Sequence, residues 1–327
     1  VTVLRDLITA IPSRTEFLPV PWPEGLAPVA VDPQNDGTGP LPKVKTVVMP
    51  WTAAEALATS RVLTPGRDST DYTHYTHNFE AFAPKISHDA PAWEAQDLGA
   101  FWLTQVGDET ALVLKSSLHM SQDGPDLPVA DLFRQVIAET GCELIITTGT
   151  AGGVGATTLL GDVIVGDYVH FDCTETFKAQ PWARASYKTS EVPKPVQLST
   201  AVQKLIPVNA SRLPNGGGSV ITGDILTTDF FAFDDVENHY GLRTANRWAR
   251  AVEMGDAVLG MVIAGLDASA PKWLAIRNAS DPEIPQLATL AAEDTDAGTI
   301  YTDWGFTTTI ASALVCWAYI AATKEPS

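Results

Sequence analysis

The 327-residue sequence predicts an α/β fold, a mostly parallel sheet with helices on both faces. Three observations carry this. Short apolar runs bounded by turn formers alternate along the chain with segments of helical period. No stretch repeats another. The composition is that of an ordinary globular protein, 45% hydrophobic and 18% charged, and a chain of this length can bury one large core or two modest ones.

Taken in order, residues 1–44 hold Pro12, Pro19, Pro21, Pro23, Pro28, Pro33, Pro40 and Pro42, which excludes regular helix and central strand over most of the stretch. It reads as a short helix and then an extended arm wrapping the domain or a neighbouring subunit. Thr46–Met49 is a strand-like run. It leads into a helix at 52–58, with Thr52 as N-cap and Glu55 at the capping-box position. Residues 64–98 carry turn formers and the cluster Tyr72, His74, Tyr75, His77, and read as an insertion or lid. Alternating His and aromatic residues can bind a metal, but a solvated lid or a subunit contact is the expectation, and no metal site is predicted.

Segments 100–105 and 111–114 around Gly107-Asp108 form a hairpin signal. A helix is expected at 129–140, with Leu132, Phe133, Val136 and Ile137 on one face. Residues 144–147 are a buried strand entering a glycine turn at 149–153. Then come a strand at 162–169, an irregular insertion at 174–218, and a strand at 220–222 ending at Gly223-Asp224. A helix at 252–266, a strand at 273–276 and a C-terminal helix at 306–322 complete the chain.

The net charge of −18, from 39 acidic and 21 basic residues, argues against nucleic acid and anionic membranes as partners. Cys142, Cys173 and Cys316 have no metal-ligand spacing, and an odd number excludes a disulfide scaffold. No apolar run is read as a membrane span; 307–322 reads as a buried helix. The chain begins at Val1 rather than Met, compatible with a removed leader.

The chemistry gathers at Ala251-Val252-Glu253-Met254-Gly255-Asp256-Ala257 and Arg277-Asn278-Ala279-Ser280-Asp281. Ligands of open α/β sheets sit at the carboxyl ends of strands, so Met254, expected at a helix start, and Asp281, expected just past a strand, should face one crevice. A carboxyl there can protonate a departing ring nitrogen, and a thioether can pack under a sugar. The glycines at 149–153 allow close backbone approach, yet they make neither a dinucleotide fingerprint nor a P-loop. Singly, Asp281 reads as a surface acid, Glu55 as a cap and Met254 as core. Their conjunction at strand ends is the signal.

Four blocks occur in a familiar order. They are Lys45–Met49 through Glu55; 111–116 leading to Thr147-Thr148-Gly149-Thr150-Ala151-Gly152-Gly153 and Gly161-Asp162-Val163-Ile164-Val165; Thr222-Gly223-Asp224; and Val252-Glu253-Met254 with Ser280-Asp281. Together they resemble the nucleoside phosphorylase and nucleosidase superfamily over residues 45–320, most closely the methylthioadenosine/S-adenosylhomocysteine nucleosidase branch. The resemblance implies a single α/β domain at 45–327 behind the 1–44 arm. Its central sheet would be mixed, mostly parallel and twisted, flanked by helices, with insertions near 64–98 and 174–218.

By the same resemblance Asp281 protonates the purine leaving group, and Glu55 orients or deprotonates a water. Met254 packs on the ribose. Ala151 and Gly152 line the base pocket, and Leu226 stands where the family often has a stacking Phe. Glu253, Asp256, Thr150 and Ser280 complete the expected substrate contacts. His119-Met120 resembles the His-Met of trimeric purine phosphorylases, in which that His touches phosphate.

The departures set the finer expectations. Thr147 and Ser117 stand where phosphorylases carry phosphate-binding arginines, so water is favoured over phosphate as nucleophile. Gly255 replaces the family's second Glu, which grips the ribose diol. Either Asp256 reaches over in its place, or the sugar is deoxy or modified. Pro282 stiffens the loop after Asp281. The expected protein is a cytoplasmic, cofactor-free purine nucleosidase acting on a small-molecule nucleoside, with no nucleic-acid or membrane partner. It would be a homo-oligomer, dimer, trimer or hexamer. A phosphate-dependent phosphorylase is the first alternative, and a non-catalytic binding or storage relative the second.

Overall fold

The computed structural model describes residues 15–16, 18–155, 157–214, 217–230, 248–267, 270–281 and 290–322, with the backbone alone over 290–297. The expected N-terminal helix and Pro282 lie outside the described residues. The strands are β1 Val29–Val31, β2 Thr46–Met49, β3 Thr73–Tyr75, β4 Gly99–Val106, β5 Glu109–Ser116, β6 Leu144–Gly153, β7 Val163–Asp172, β8 Ser186–Lys188, β9 Val220–Thr228, β10 Ala249–Glu253 and β11 Lys272–Asp281. The longer helices are α1 Ala53–Leu63, α2 Pro128–Thr140, α3 Asp256–Ala264 and α4 Leu290–Ala321.

All strands join one mixed sheet in the order β1-β4-β5-β2-β6-β10-β9-β7-β11, with β3 on β4 and β8 on β7. Parallel pairings of β2 with β5 and β6, and of β6 with β11, hold its middle. Every residue of β2 is buried, the mark of a strand covered on both faces. Because β6 pairs with β11 as well as β10, the strands β6, β10, β9, β7 and β11 close into a ring. One apolar cluster takes in Phe101, Leu132, Phe133, Leu259 and Trp273; the other takes in Val48, Leu63, Ile146, Phe306 and Trp317.

Several expected elements appear as read. The hairpin is the antiparallel pair β4–β5. Helix α1 has the full capping box: the Glu55 amide donates to Thr52 Oγ1, and the Thr52 amide donates back to the Glu55 carboxylate. Helix α2 stops at Gly141, whose φ of 61° suits glycine at a helix end.

Four expectations need correction. Residues 149–153 are not a turn: β6 runs through them, and its ladder with β11 continues through Gly149↔Arg277, Thr150↔Asn278 and Ala151↔Ala279. The helix expected at 252–266 begins only at Asp256, since Ala249–Glu253 is drawn into the ladder with β9. Residues 64–98 are not a solvated lid. Tyr72, Tyr75, Phe79, Phe82 and Leu98 are buried, and His74 and His77 are each paired with a carboxylate, Asp97 and Glu139. The C-terminal helix is longer than 306–322. Its stretch Gly298–Ala321 is long and apolar enough to cross a membrane, contrary to the reading that no run is, but 89% of its apolar window is buried in the fold. It is a core helix.

Candidate active site

Glu55 is placed by its helix. As the third residue of α1 it sits among amides that a helix start leaves without partners, and it collects that of the N-cap Thr52 together with the amide of the preceding Trp51. Glu55 Oε2 accepts from the amides of Trp51 and Thr52, both at 2.9 Å. Its Oε1 accepts from Thr150 N at 2.7 Å and Thr150 Oγ1 at 2.6 Å. Four accepted bonds fill the acceptor positions of a carboxylate. The approach depends on Gly149, which has φ 146°; a Cβ there would fall 2.3–2.5 Å from the Glu55 carboxylate atoms.

Beside Glu55 lies a buried guanidinium that the sequence reading gave no role. Arg277 bonds Asp256 through Nε at 2.7 Å and Nη2 at 2.5 Å. It also reaches Glu253 Oε2 at 3.0 Å and Thr150 O at 3.3 Å, and its Nη1 lies 4.0 Å from Glu55 Oε1. A signal existed: an Arg directly after the apolar run 273–276, in a strand with covered faces, must find counter-charges. Glu253 further accepts from Thr227 Oγ1 and from the Asp256 amide. Burial, and then the Asp256 carboxylate, hold its carboxyl well above the usual range, although Arg277 opposes this.

These partners change the expected parts of Glu253, Asp256 and Thr150. Both oxygens of Asp256 are taken by Arg277 and the residue is fully buried. It does not reach over to replace the acid missing at Gly255. Thr150 holds Glu55 rather than standing free.

Asp281 is the last residue of β11, beyond a register shift between Ala279 and Asp281 that interrupts the ladder with β6. Ser280 Oγ donates to its Oδ1 at 2.6 Å, while its buried Oδ2 has no partner among the described residues. Burial pushes the Asp281 carboxyl up to about 6 against the lowering effect of Ser280. Ala151 is buried opposite on β6, and its carbonyl lies 3.4 Å from Ser280 Oγ. Gly152 pairs with Asp281 in the β6–β11 ladder. Met254, in the turn between β10 and α3, is only partly buried. Leu226 is buried with Val154, Ala249 and Val252, and Phe230 packs against them.

Tyr301 of α4 closes another side, its hydroxyl 3.0 Å from Thr52 Oγ1. Burial, followed by the charge of Glu55, raises its phenol above the ordinary range. A helix whose start was placed too late could not supply it.

His119 lies in an adjoining cavity of about 220 Å³, lined by Trp51, Ala53, Pro91, Lys115, Ser116, Ser117 and His119. Burial, then the nearby Arg277 and Lys115 charges, push its imidazole down to about 3. The Ser121 amide donates to Nδ1 at 3.3 Å, so the ring is neutral with its proton on Nε2. The loop's hydroxyls are engaged internally: Ser116 donates to the Leu118 carbonyl and Ser117 to Asp97. Among the described residues no group of three or more His, Cys, Asp or Glu is arranged to hold a metal.

A family model described as "Phosphorylase superfamily" matches residues 108–298, more than half of the chain. None of the curated protein sequences compared matches it. Among solved structures, the fold is similar to the 5′-methylthioadenosine/S-adenosylhomocysteine nucleosidase of Neisseria meningitidis in complex with methylthio-immucillin-A. That likeness has TM-score 0.51 and 18% identity, covering 85% of this chain and 99% of that one. It is also similar to the nucleosidase of Colwellia psychrerythraea 34H in complex with adenine, with TM-score 0.52, 17% identity and coverage of 86% and 96%. The futalosine hydrolase of Helicobacter pylori strain 26695 gives TM-score 0.50, 14% identity and coverage of 85% and 97%.

Proposed function

The chain belongs to the phosphorylase superfamily, and from that membership we propose that it cleaves the N-glycosidic bond of a purine nucleoside with water as the nucleophile. The observation that carries the reading is Asp281: a buried carboxyl at a strand end, pushed up to about 6, with one oxygen held by Ser280 and the other without a partner among the described residues. That is the state of a general acid near neutral pH. A purine is the base class because similar folds carry adenine or a nucleoside analogue.

In the proposed reaction the C1′–N bond breaks as Asp281 gives its proton to the base. Met254 packs under the sugar. A water adds to the anomeric carbon through an oxocarbenium-like state. Since Glu55 already accepts four bonds, the water meets it through Thr150, whose hydroxyl accepts from water while donating to Glu55. The proton released by the water leaves along that path, and Asp281 is reprotonated from solvent.

Water is preferred to phosphate on charge. A dianion beside Glu55, Asp256 and Asp97 would find a neutral His119, an Arg277 already engaged by carboxylates, and serine hydroxyls donating elsewhere. Charge-assisted arginine contacts are the strong ones for phosphate, and none is free here among the described residues. One observation favours the phosphorolytic alternative: the Lys115 amine borders the cavity shared with His119. Base release from adenosine, guanosine and inosine, with and without phosphate, tests the reading. Release in phosphate-free buffer, lost in Asp281→Asn, supports it. Strict dependence on phosphate replaces it with phosphorolysis, and no release in either buffer removes catalysis.

A further inference from the structure

Helices α1 and α4 share an apolar cluster that includes Leu57, Leu63, Phe306 and Ile310. They also meet through hydroxyls. Tyr301 Oη lies 3.0 Å from Oγ1 of Thr52, the N-cap of α1. The phenol ring lies along its own helix over Gly305, where a Cβ would stand 3.4–3.6 Å from three ring carbons.

Thr52 carries this contact to Glu55. Its Oγ1 accepts from the Glu55 amide at 3.2 Å, and its own amide donates to Glu55 Oε2 at 2.9 Å. A hydroxyl can accept twice and donate once, so Thr52 Oγ1 can hold the Glu55 amide and the Tyr301 hydroxyl together. Whichever of the two hydroxyls donates, the phenol restrains the side chain that closes the capping box. Thr150 holds the other oxygen of Glu55. The carboxylate therefore stands between a donor pair on β6 and a cap that α4 steadies. Burial, then the charges of Glu55 and Asp281, keep the phenol protonated, so its hydroxyl is a neutral hydrogen-bonding group and not a base. A phenylalanine would fill the same space without desolvating a hydroxyl. What the oxygen adds is direction.

We propose that Tyr301 is a positioning residue for the reaction: bonded to Thr52, it holds the start of α1 so that Glu55 stays seated against Thr150. The proposal rests on the glycosidic reading of the site, in which the water meets Glu55 through Thr150. It requires no contact between Tyr301 and the base or the sugar. Loss of the hydroxyl frees the Thr52 side chain and loosens the carboxylate on which the water depends, while the groups that bind the nucleoside stay in place.

Steady-state kinetics of base release from adenosine, guanosine and inosine in phosphate-free buffer test it. Tyr301→Phe should lower kcat about tenfold and leave KM within about twofold, the pattern of a group whose loss is felt in the transition state and not in binding. A cycle with Thr52 reads the route of the effect. In Thr52→Val the hydroxyl through which Tyr301 acts is gone, and Tyr301→Phe should cost no more than about twofold further. In Thr52→Ser, which keeps cap and hydroxyl, it should again cost about tenfold. The serine background keeps the test valid if Thr52→Val fails to fold. A kcat that Tyr301→Phe leaves unmoved, in the natural or the serine background, means that the hydroxyl is structural only and overturns the proposal. A raised KM with kcat unmoved, which would mark substrate contact, overturns it as well. So do equal losses in the valine and serine backgrounds. No base release from the natural protein overturns the glycosidic reading and this proposal with it, whereas release with any of the preceding three outcomes overturns this proposal alone.

Discussion

The carboxyl of Asp281 ties activity to stability in a way that one substitution separates. Its burial raises it from the ordinary 3.8 to about 6. A shift of about two units is worth about 3 kcal/mol, an order-of-magnitude figure. The folded state therefore holds this proton more tightly than the unfolded chain. Its stabilising share is complete below about pH 4, falls as pH rises from about 4 to about 6, and is absent above. Asp281→Asn removes that titration and keeps an acceptor for the Ser280 hydroxyl. By urea unfolding, the variant should match the natural protein near pH 4 and exceed it by about 3 kcal/mol at pH 7.5, with other titrating groups cancelling in the difference. Base release should behave oppositely. In the natural protein kcat/KM should fall about tenfold per pH unit above 6, and in the variant it should be lost. Ser280→Ala removes the group that lowers this carboxyl, so its activity limb should move to higher pH. A variant no more stable than the natural protein at pH 7.5, or an activity limb that Ser280→Ala leaves in place, would refute the assignment.

Three further outcomes follow from the packing. Arg277→Met leaves Asp256 and Glu253 buried without their cation and should cost about 3–5 kcal/mol at neutral pH in urea unfolding; a loss under 1 kcal/mol would mean that the ion pairs are not formed. Gly149→Ala places a methyl on the Glu55 carboxylate, and displacing that group should lower kcat by about a hundredfold; activity within a factor of three would show that the close approach is unnecessary. Tyr301→Phe removes the hydroxyl next to Thr52 and should lower the unfolding free energy by about 1 kcal/mol, a change that thermal denaturation resolves.

What the sequence revealed tracks how local each signal is. The capping box of Thr52 and Glu55 spans four residues, and the β4–β5 hairpin is joined at Gly107-Asp108; both were legible because their partners are neighbours in the chain. Singly, Glu55 reads as a cap and Asp281 as a surface acid; what marked them as candidate acids was the order of the four blocks in which they stand. The glycine run at 149–153 was misread because its conformation is set by β11, more than a hundred residues on, whose ladder draws Gly149 and Thr150 into a strand. Helix α4 extends beyond the apolar run at 307–322, and three of its hydroxyls bond within the fold: Thr302 to the Gly298 carbonyl, Thr309 to the Gly305 carbonyl and Ser312 to Asn278. The contact of Trp51 with Gly255 had no local signature at all. A Cβ at Gly255 would meet the Trp51 ring at 3.1 Å, a contact between residues more than two hundred positions apart.

The two candidate acids differ because of the kinds of element end on which they sit. A helix start presents amides with no partner in the helix, and Glu55, three residues in, accepts that of Thr52, the amide of Trp51 before it, and two more donors from Thr150. A strand end presents nothing comparable. The register shift at Ala279/Asp281 interrupts the ladder, and Asp281 is left with the hydroxyl of its neighbour and burial. One carboxyl is therefore built to accept and the other to hold a proton. That difference arises from the helix start that carries Glu55 and the strand end that carries Asp281. Exchanging the side-chain lengths, by Glu55→Asp with Asp281→Glu, would keep both charges and lose both geometries. If the division of labour resides in the element ends, that double variant should be folded and inactive, and folded protein with more than about a tenth of the natural kcat would show that charge alone suffices.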